Sequence, residues 1–190
     1  MSLNFIEDQH FKREDFSRKQ FEKGDYEGCT FAHCNFSKAD LSGFKFIDCV
    51  FEGCDLSNGK LTKTGFQDVI FKGCKMLGLR FDTCDAFAFS VNFENCLLDH
   101  TSFYKVKLSK TVFSNSRLRG VDFTEADLSA VQFENCDFHD AVFDQSILEK
   151  TDFTTSYNFS IDPEKNRVKG AKFSLSGIPG LLDKYSLKIE

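Results

Sequence analysis

The sequence predicts an all-β chain: a four-sided parallel solenoid of about 20 residues per coil, ended by a short C-terminal helical cap. Three observations predict it. From Phe93 to Phe153 every fifth residue is large and apolar, thirteen times without a slip: Phe93, Leu98, Phe103, Leu108, Phe113, Leu118, Phe123, Leu128, Phe133, Phe138, Phe143, Leu148, Phe153. A small or β-branched residue stands two places before each, from Val91 and Cys96 to Ser146 and Thr151. A longer period of twenty aligns like with like, with Phe93, Phe113, Phe133, Phe153 and Phe173 in one column and Leu108, Leu128, Leu148 and Val168 in another.

A period of five suits neither a continuous helix nor a continuous strand. It suits a short extended segment followed by a sharp corner. Residues two apart in the extended part point the same way. The small residue and the large one therefore both face inward, the residue between them faces out, and the remaining two turn the corner. Twenty residues per coil makes four such sides, with neighbouring coils ~4.8 Å apart.

Taken in order, residues 1–10 read as a lead-in whose Phe5 and Ile6 cover the open end of the first coil. The fifth-residue register then runs from Phe11 to Phe81, with Phe11, Phe31, Phe51 and Phe71 in one column. Two inward positions that are usually small are large, Phe44 and Leu79. Each lies one coil from a glycine, Gly24 and Gly59, so added volume meets removed volume, as close packing requires. Between Phe81 and Phe93 the register slips by two residues, within 82–92. One of Phe87 and Phe89 is expected to fill the core and the other to point out. That insertion is either a tolerated bulge or a binding protrusion.

After Phe153 the segment 157–163 departs from the repeat, and Val168 and Phe173 recover it. The last segment, 174–190, reads as a cap: a helix start at Ser176-Gly177-Ile178-Pro179, then an alternating Leu187/Ile189 strand. A solenoid end needs covering. Ile178, Leu181, Leu182, Tyr185, Leu187 and Ile189 are the apolar residues available to cover it.

Stretches such as Ala-Asp-Leu-Ser-Gly (39–43) and Ala-Asp-Leu-Ser-Ala (126–130) resemble the A(D/N)LXX consensus of the pentapeptide-repeat family. The resemblance implies a right-handed quadrilateral β-helix over roughly residues 11–173. Length, near-continuous repeats, the mid-chain slip and Ile161-Asp162-Pro163-Glu164-Lys165-Asn166 are similar to the quinolone-resistance (Qnr) and microcin-immunity members. That likeness implies a DNA-mimicking protein that binds a bacterial type II topoisomerase, gyrase foremost, and protects it from fluoroquinolones or a peptide toxin; it also implies that the apolar residues of the cap, beyond capping alone, form a two-fold dimer interface. The slip is shorter than the long projecting loops that some members use. The alternative is a scaffolding repeat module with an unrelated protein partner.

Composition agrees with a filled interior. The chain has 24 Phe in 190 residues and no Trp. Nineteen of those Phe sit at the fifth-residue position, and burying each contributes roughly 2–3 kcal/mol. The eight cysteines fall at or beside the small inward position and read as buried free thiols rather than disulfides or zinc ligands. The four His pair with no Cys at a metal spacing, no phosphate-binding glycine motif is present, and no enzyme or cofactor is expected. With neither an apolar span nor an N-terminal apolar leader, a cytoplasmic protein is expected, without membrane contact.

Net charge is −5, unevenly spread. Residues 121–152 carry Asp122, Glu125, Asp127, Glu134, Asp137, Asp140, Asp144, Glu149 and Asp152 against Lys150 alone. Just before them, Lys105, Lys107, Lys110, Arg117 and Arg119 fall in 100–121 with no acid at 101–121. The carboxylates form either an ordinary solvated surface or an array that attracts a DNA-binding protein's basic channel. Direct nucleic-acid binding is disfavoured by the same charge.

Overall fold

A computed structural model describes residues 4–19 and 21–188. The chain winds as a parallel β-solenoid whose four sides repeat every 20 residues. In chain order the strands are β1 (Asn4–Glu7), β2 (His10–Lys12), β3 (Gly24–Glu27), β4 (Thr30–Ala32), β5 (Lys45–Ile47), β6 (Val50–Glu52), β7 (Gly65–Gln67), β8 (Val69–Lys72), β9 (Val91–Glu94), β10 (Val112–Ser114) and β11 (Gln132–Glu134). One side is a seven-stranded sheet in the order β11-β10-β9-β8-β6-β4-β2, and its neighbour is the four-stranded sheet β1-β3-β5-β7. The other two sides are ladders of single parallel bridges. Asp15, Asn35, Asp55, Lys75, Leu97, Arg117, Asp137 and Tyr157 run along one, and Arg80, Ser102, Asp122 and Val142 along part of the other.

The register follows from the pattern of side-chain sizes. Phe31 pairs with Phe51, Phe51 with Phe71, and Phe113 with Phe133, while the two-residue slip pairs Phe71 with Phe93. Rings in this column stack in near-parallel planes, with centroids 4.6 Å apart for Phe31–Phe51, 5.4 Å for Phe71–Phe93 and 5.0 Å for Phe113–Phe133. Rings from adjacent columns meet edge to face, as Phe93 and Phe103 do at 6.0 Å. Both geometries suit the aromatic quadrupole and add roughly 0.5–1.5 kcal/mol per pair to the burial term.

The small inward position has a second task. A donor there reaches the carbonyl of the coil below: Thr64 and Thr151 hydroxyls donate to Leu41 and Leu128 carbonyls at 2.8 and 2.7 Å, and Ser146 to Phe123 at 2.9 Å. Cysteine does the same more weakly, Cys54 to Phe31 at 3.2 Å and Cys96 to Phe71 at 3.3 Å. All eight cysteines are free, seven of them buried. Burial pushes the Cys34 thiol up to about 11 and the Cys49 and Cys136 thiols up to about 12, so they stay protonated.

Corners are made by the residue two places after each core residue, which takes a left-handed backbone at His33, Asn58, Asn95, Glu125, Ala130, Asp140 and Lys150 among others. Glycine fills it at Gly73, where an added Cβ would touch nothing. Thr83 and Thr155 occupy the same position without a positive φ, as expected for β-branched residues. A polar residue before the core residue fixes the corner. Asp40, Asp55, Asp127 and Asp152 carboxylates accept the N–H two residues on, from Ser42, Ser57, Ser129 and Thr154, at 2.9–3.0 Å. These are Asx turns repeated along the rod.

Several expectations change. Residues 4–7 are no lead-in: β1 pairs with β3, with Ile6 opposite Tyr26. Phe5 therefore points out, 57% exposed, because alternation along a strand turns only Ile6 inward. The crowding at Gly24 comes chiefly from the Asn4 carbonyl and the Ile6 side chain rather than from Phe44, whose ring stacks on Phe21 at 5.0 Å. At Gly59 the expected neighbour is present, with Leu79 Cδ2 3.7 Å from an added Cβ, but the Leu56 and Ala39 carbonyls are nearer at 3.2 and 3.3 Å.

The C-terminal cap is helical, in 3₁₀ form. It runs Leu175–Leu181 with Ser174 as N-cap, earlier than expected, followed by Asp183–Tyr185. Gly177 and Gly180 lie directly against the Phe159 ring, which closes the last coil. Asp162 and Glu164 hold Lys184 at 2.8 and 2.6 Å. Leu187 is in no strand, and Ile189 lies outside the described residues.

Candidate partner-binding surface

Aromatic and aliphatic side chains fill the lumen, so chemistry is confined to the outside of the rod. Among the described residues, no group of three or more His, Cys, Asp or Glu is placed to hold a metal ion. Among the same residues, no helix is long and apolar enough to cross a membrane.

The nine acidic residues of 121–152 are distributed over all four sides by their places in the repeat. Asp122, Asp127, Asp137 and Asp152 precede core residues, Glu134, Asp144 and Glu149 follow them, and Glu125 and Asp140 are left-handed corners. Four are ion-paired: Glu125 with Lys105 at 3.4 Å, Asp137 with Arg119 at 2.6 Å, Glu149 with Arg167 at 2.7 Å and Asp152 with Lys172 at 3.3 Å. Three of the five residues in the basic run are engaged in the same way, Lys105 and Arg119 by these pairs and Arg117 by Asp99 at 2.6 Å.

Asp137 is the most built of the set. Its side chain is 7% exposed and accepts from Arg119 Nε at 2.6 Å, Asn158 Nδ2 at 2.8 Å and the His139 N–H at 3.2 Å. Burial alone would raise its pKa, but these donors outweigh it and hold the carboxyl below its ordinary value. At Asp152 the Thr154 hydroxyl leads, with Lys172 assisting, and the shift is again downward. Asp127 is lowered too, burial being outweighed by Ser129 and Ser109. These aspartates hold the fold. Sequence reading missed that role, although Asp-Leu-Ser at 40–42, 55–57 and 127–129 carries its signature: an acceptor two residues before a hydroxyl residue whose own N–H needs a partner.

Five of the nine have no basic Lys or Arg within 4 Å among the described residues: Asp122, Asp127, Glu134, Asp140 and Asp144. His139 lies 3.3 Å from Asp140, and the Lys107 charge acts on Asp127 from beyond 4 Å. Asp122 bridges Val142, which stands between Asp140 and Asp144, so these three share two adjacent coils.

The bulge separates the two candidate aromatics. Phe89 packs on Phe66 and Phe81 at 6.4 and 6.2 Å, continuing the column above Tyr26, Phe46 and Phe66. Phe87 is 75% exposed. At the tail, Ile178, Tyr185 and Leu187 are exposed, joined by Leu175 at 92%, which sequence reading overlooked. Leu182 is half-buried, and Leu181 turns inward against the core.

The family assignment rests on matches that span most of the chain. Profiles described as pentapeptide repeats (8 copies) match residues 15–53 and 49–85, and one described as a pentapeptide repeat region matches 87–157. This is a pentapeptide-repeat protein. No curated protein matches it. Two trypsin-treated variants of QnrB1, described as a plasmid-mediated fluoroquinolone resistance protein, share its fold. One aligns at TM-score 0.65 and 22% identity over 98% of this chain and 100% of its own. The other gives the same score and identity over 97% and 99%. The matched residues take in the coils between Asp15 and Tyr157.

Proposed function

We propose that this pentapeptide-repeat protein is a non-enzymatic, homodimeric rod that binds a bacterial type II topoisomerase, gyrase foremost, in place of DNA and protects it from a poison. The observation that carries the reading is the density of unpaired charge. Residues 121–152 span ~8 Å of rod at ~4.8 Å per coil. Over that rise a DNA duplex carries about five charges, one per ~1.7 Å. Nine carboxylates less four in ion pairs leaves five. These five wind around the rod, as phosphates wind around a duplex.

The fold shared with QnrB1 supports the same reading, as does the exposed apolar tail of Leu175, Ile178, Tyr185 and Leu187, which a two-fold partner would cover. The test is binding of purified gyrase to the immobilised protein, measured by biolayer interferometry. Asp122→Lys and Asp144→Lys together are expected to weaken binding about tenfold or more. Equal binding by this pair of charge reversals would refute mimicry.

A scaffolding role with an unrelated partner is favoured by one observation: Asp127, Asp137 and Asp152 are engaged in their own corners. Absence of gyrase binding would select it.

A further inference from the structure

The two-residue slip breaks the ladder on one side of the rod, and the break is open to a strand from outside. On that side every later coil is tied to the one below by a two-way exchange. Asp127 donates its N–H to the Val106 carbonyl at 2.9 Å and accepts from the Leu108 N–H at 2.8 Å. Lys107 is the equivalent residue one coil earlier, paired above to Asp127. Below it stand Ala86–Phe89, which carry the two extra residues. Asp85 still donates to the Thr64 carbonyl and Ser90 to the Phe66 carbonyl, and the chain between them arcs away. Neither the N–H nor the C=O of Lys107 has a hydrogen-bond partner among the described residues.

At this break lies a groove of about 460 Å³. Its walls are apolar, from Phe81, Ala86, Ala88, Phe89 and Val106, with Lys105 and Lys107 on one lip. Phe87 projects from the arc beside it. Two carboxylates line the groove as well: Asp82 is held by Arg80 at 2.7 Å, while Asp85 accepts the Phe87 N–H at 3.0 Å and keeps its charge. Among the bases, Lys107 and Lys110 have no carboxylate within 4 Å among the described residues. Neither does Lys63, whose N–H bonds the Thr83 carbonyl next to the groove.

The geometry points to a peptide-docking slot: an extended acidic segment of a partner protein, bearing an apolar side chain, adds as a strand along Lys107. Main-chain bonds to Lys107 replace the missing rung, the apolar side chain enters the groove, and flanking carboxylates face Lys63, Lys107 and Lys110. A duplex or single-stranded nucleic acid satisfies the lysines but leaves the apolar groove and the Lys107 N–H and C=O pair without use.

The test uses the full chain and the fluorescein-labelled peptide Asp-Glu-Val-Leu-Val-Glu, followed by fluorescence anisotropy and amide exchange. The peptide is expected to saturate and to slow Lys107 amide exchange about tenfold or more. Replacing its central Leu by Pro, which removes a donor, is expected to weaken binding about tenfold. Deleting Ala86 and Phe89 leaves Cys84-Asp85-Phe87-Ala88-Ser90, a regular repeat that heals the ladder. That variant is expected to fold, judged by circular dichroism, and to lose binding. Lys107→Glu, which leaves the ladder untouched, is also expected to lose it. Any one of three results overturns the proposal: undiminished binding to the healed variant, undiminished binding of the Pro peptide, or displacement of the peptide by an oligonucleotide. Absence of saturation up to millimolar protein overturns it as well.

Discussion

Two aspartates seven residues apart, Asp137 and Asp144, are predicted to respond oppositely to mutation. Asp137→Ala removes the acceptor for the His139 N–H, leaves Asn158 Nδ2 without its partner and breaks the Arg119 pair. Each of the first two bonds is worth about 1 kcal/mol. The Arg119 pair adds about 0.5–1 kcal/mol, discounted because the arginine is half exposed. The sum is about 2.5–3 kcal/mol, or roughly 5–12 °C in Tm for a chain of this size. Asp137→Asn keeps the corner acceptor and loses mainly the ion pair, about 1 kcal/mol or roughly 2–4 °C. The Asp144 side chain makes no hydrogen bond or ion pair among the described residues, so Asp144→Lys is expected within about 0.5 kcal/mol of the parent. Circular dichroism melting measures all three. Asp137→Ala melting within a degree of the parent, or Asp144→Lys melting below it, would refute the division into structural and available carboxylates.

Gly59→Val is expected to cost about 1–3 kcal/mol, because its Cβ meets the Leu56 and Ala39 carbonyls and Leu79; an unchanged urea midpoint would contradict that. Ala130→Gly relieves a left-handed corner and is expected to stabilise by up to about 1 kcal/mol, read from the same urea curves. The lowered pKa values of Asp127, Asp137 and Asp152 give a contribution fully present above the ordinary carboxyl value of about 3.9. It is lost as pH falls through the lower folded values, so melts at pH 6–8 should agree and those below about pH 4 should fall. The raised thiols act at the other end: their contribution is present below about 8.5 and lost as pH climbs towards 12, a decline that Cys49→Ala should reduce in melts at pH 7 and pH 10. Ile178→Glu with Leu187→Glu is expected to convert a particle of twice 21.7 kDa into one of 21.7 kDa by light scattering.

The fold was legible because one repeat states the whole solution. Phe at every fifth place and a small residue two before it specify which atoms face inward, and the period of twenty stacks them. Phe71 on Phe93 shows that even the slip was readable, since the aromatic column had to stay unbroken. The roles of the charges were not legible in the same way. Asp25–Lys45, Asp40–Lys60 and Asp55–Lys75 sit twenty apart and follow from the period, whereas Asp99–Arg117, Arg119–Asp137 and Glu149–Arg167 sit eighteen apart. Pairing across that diagonal depends on how far an arginine reaches, which no single-residue pattern encodes. The first coil and the tail were misread for a local reason. A strand at a solenoid end has a neighbour on one side only, so Phe5 is free to face water, and a cap such as Leu175–Leu181 obeys no repeat.

The central claim is that unpaired carboxylates on this rod act on gyrase, and supercoiling in the presence of a fluoroquinolone tests it most directly. Added protein is expected to restore supercoiled product. The pair Asp122→Lys and Asp144→Lys, the first of which takes from the Thr124 N–H its 2.9 Å acceptor, should abolish the rescue, and Asp137→Asn should leave it intact, each at a temperature where it stays folded. Unchanged poisoning at micromolar protein, or rescue that survives the charge reversals, would contradict the account.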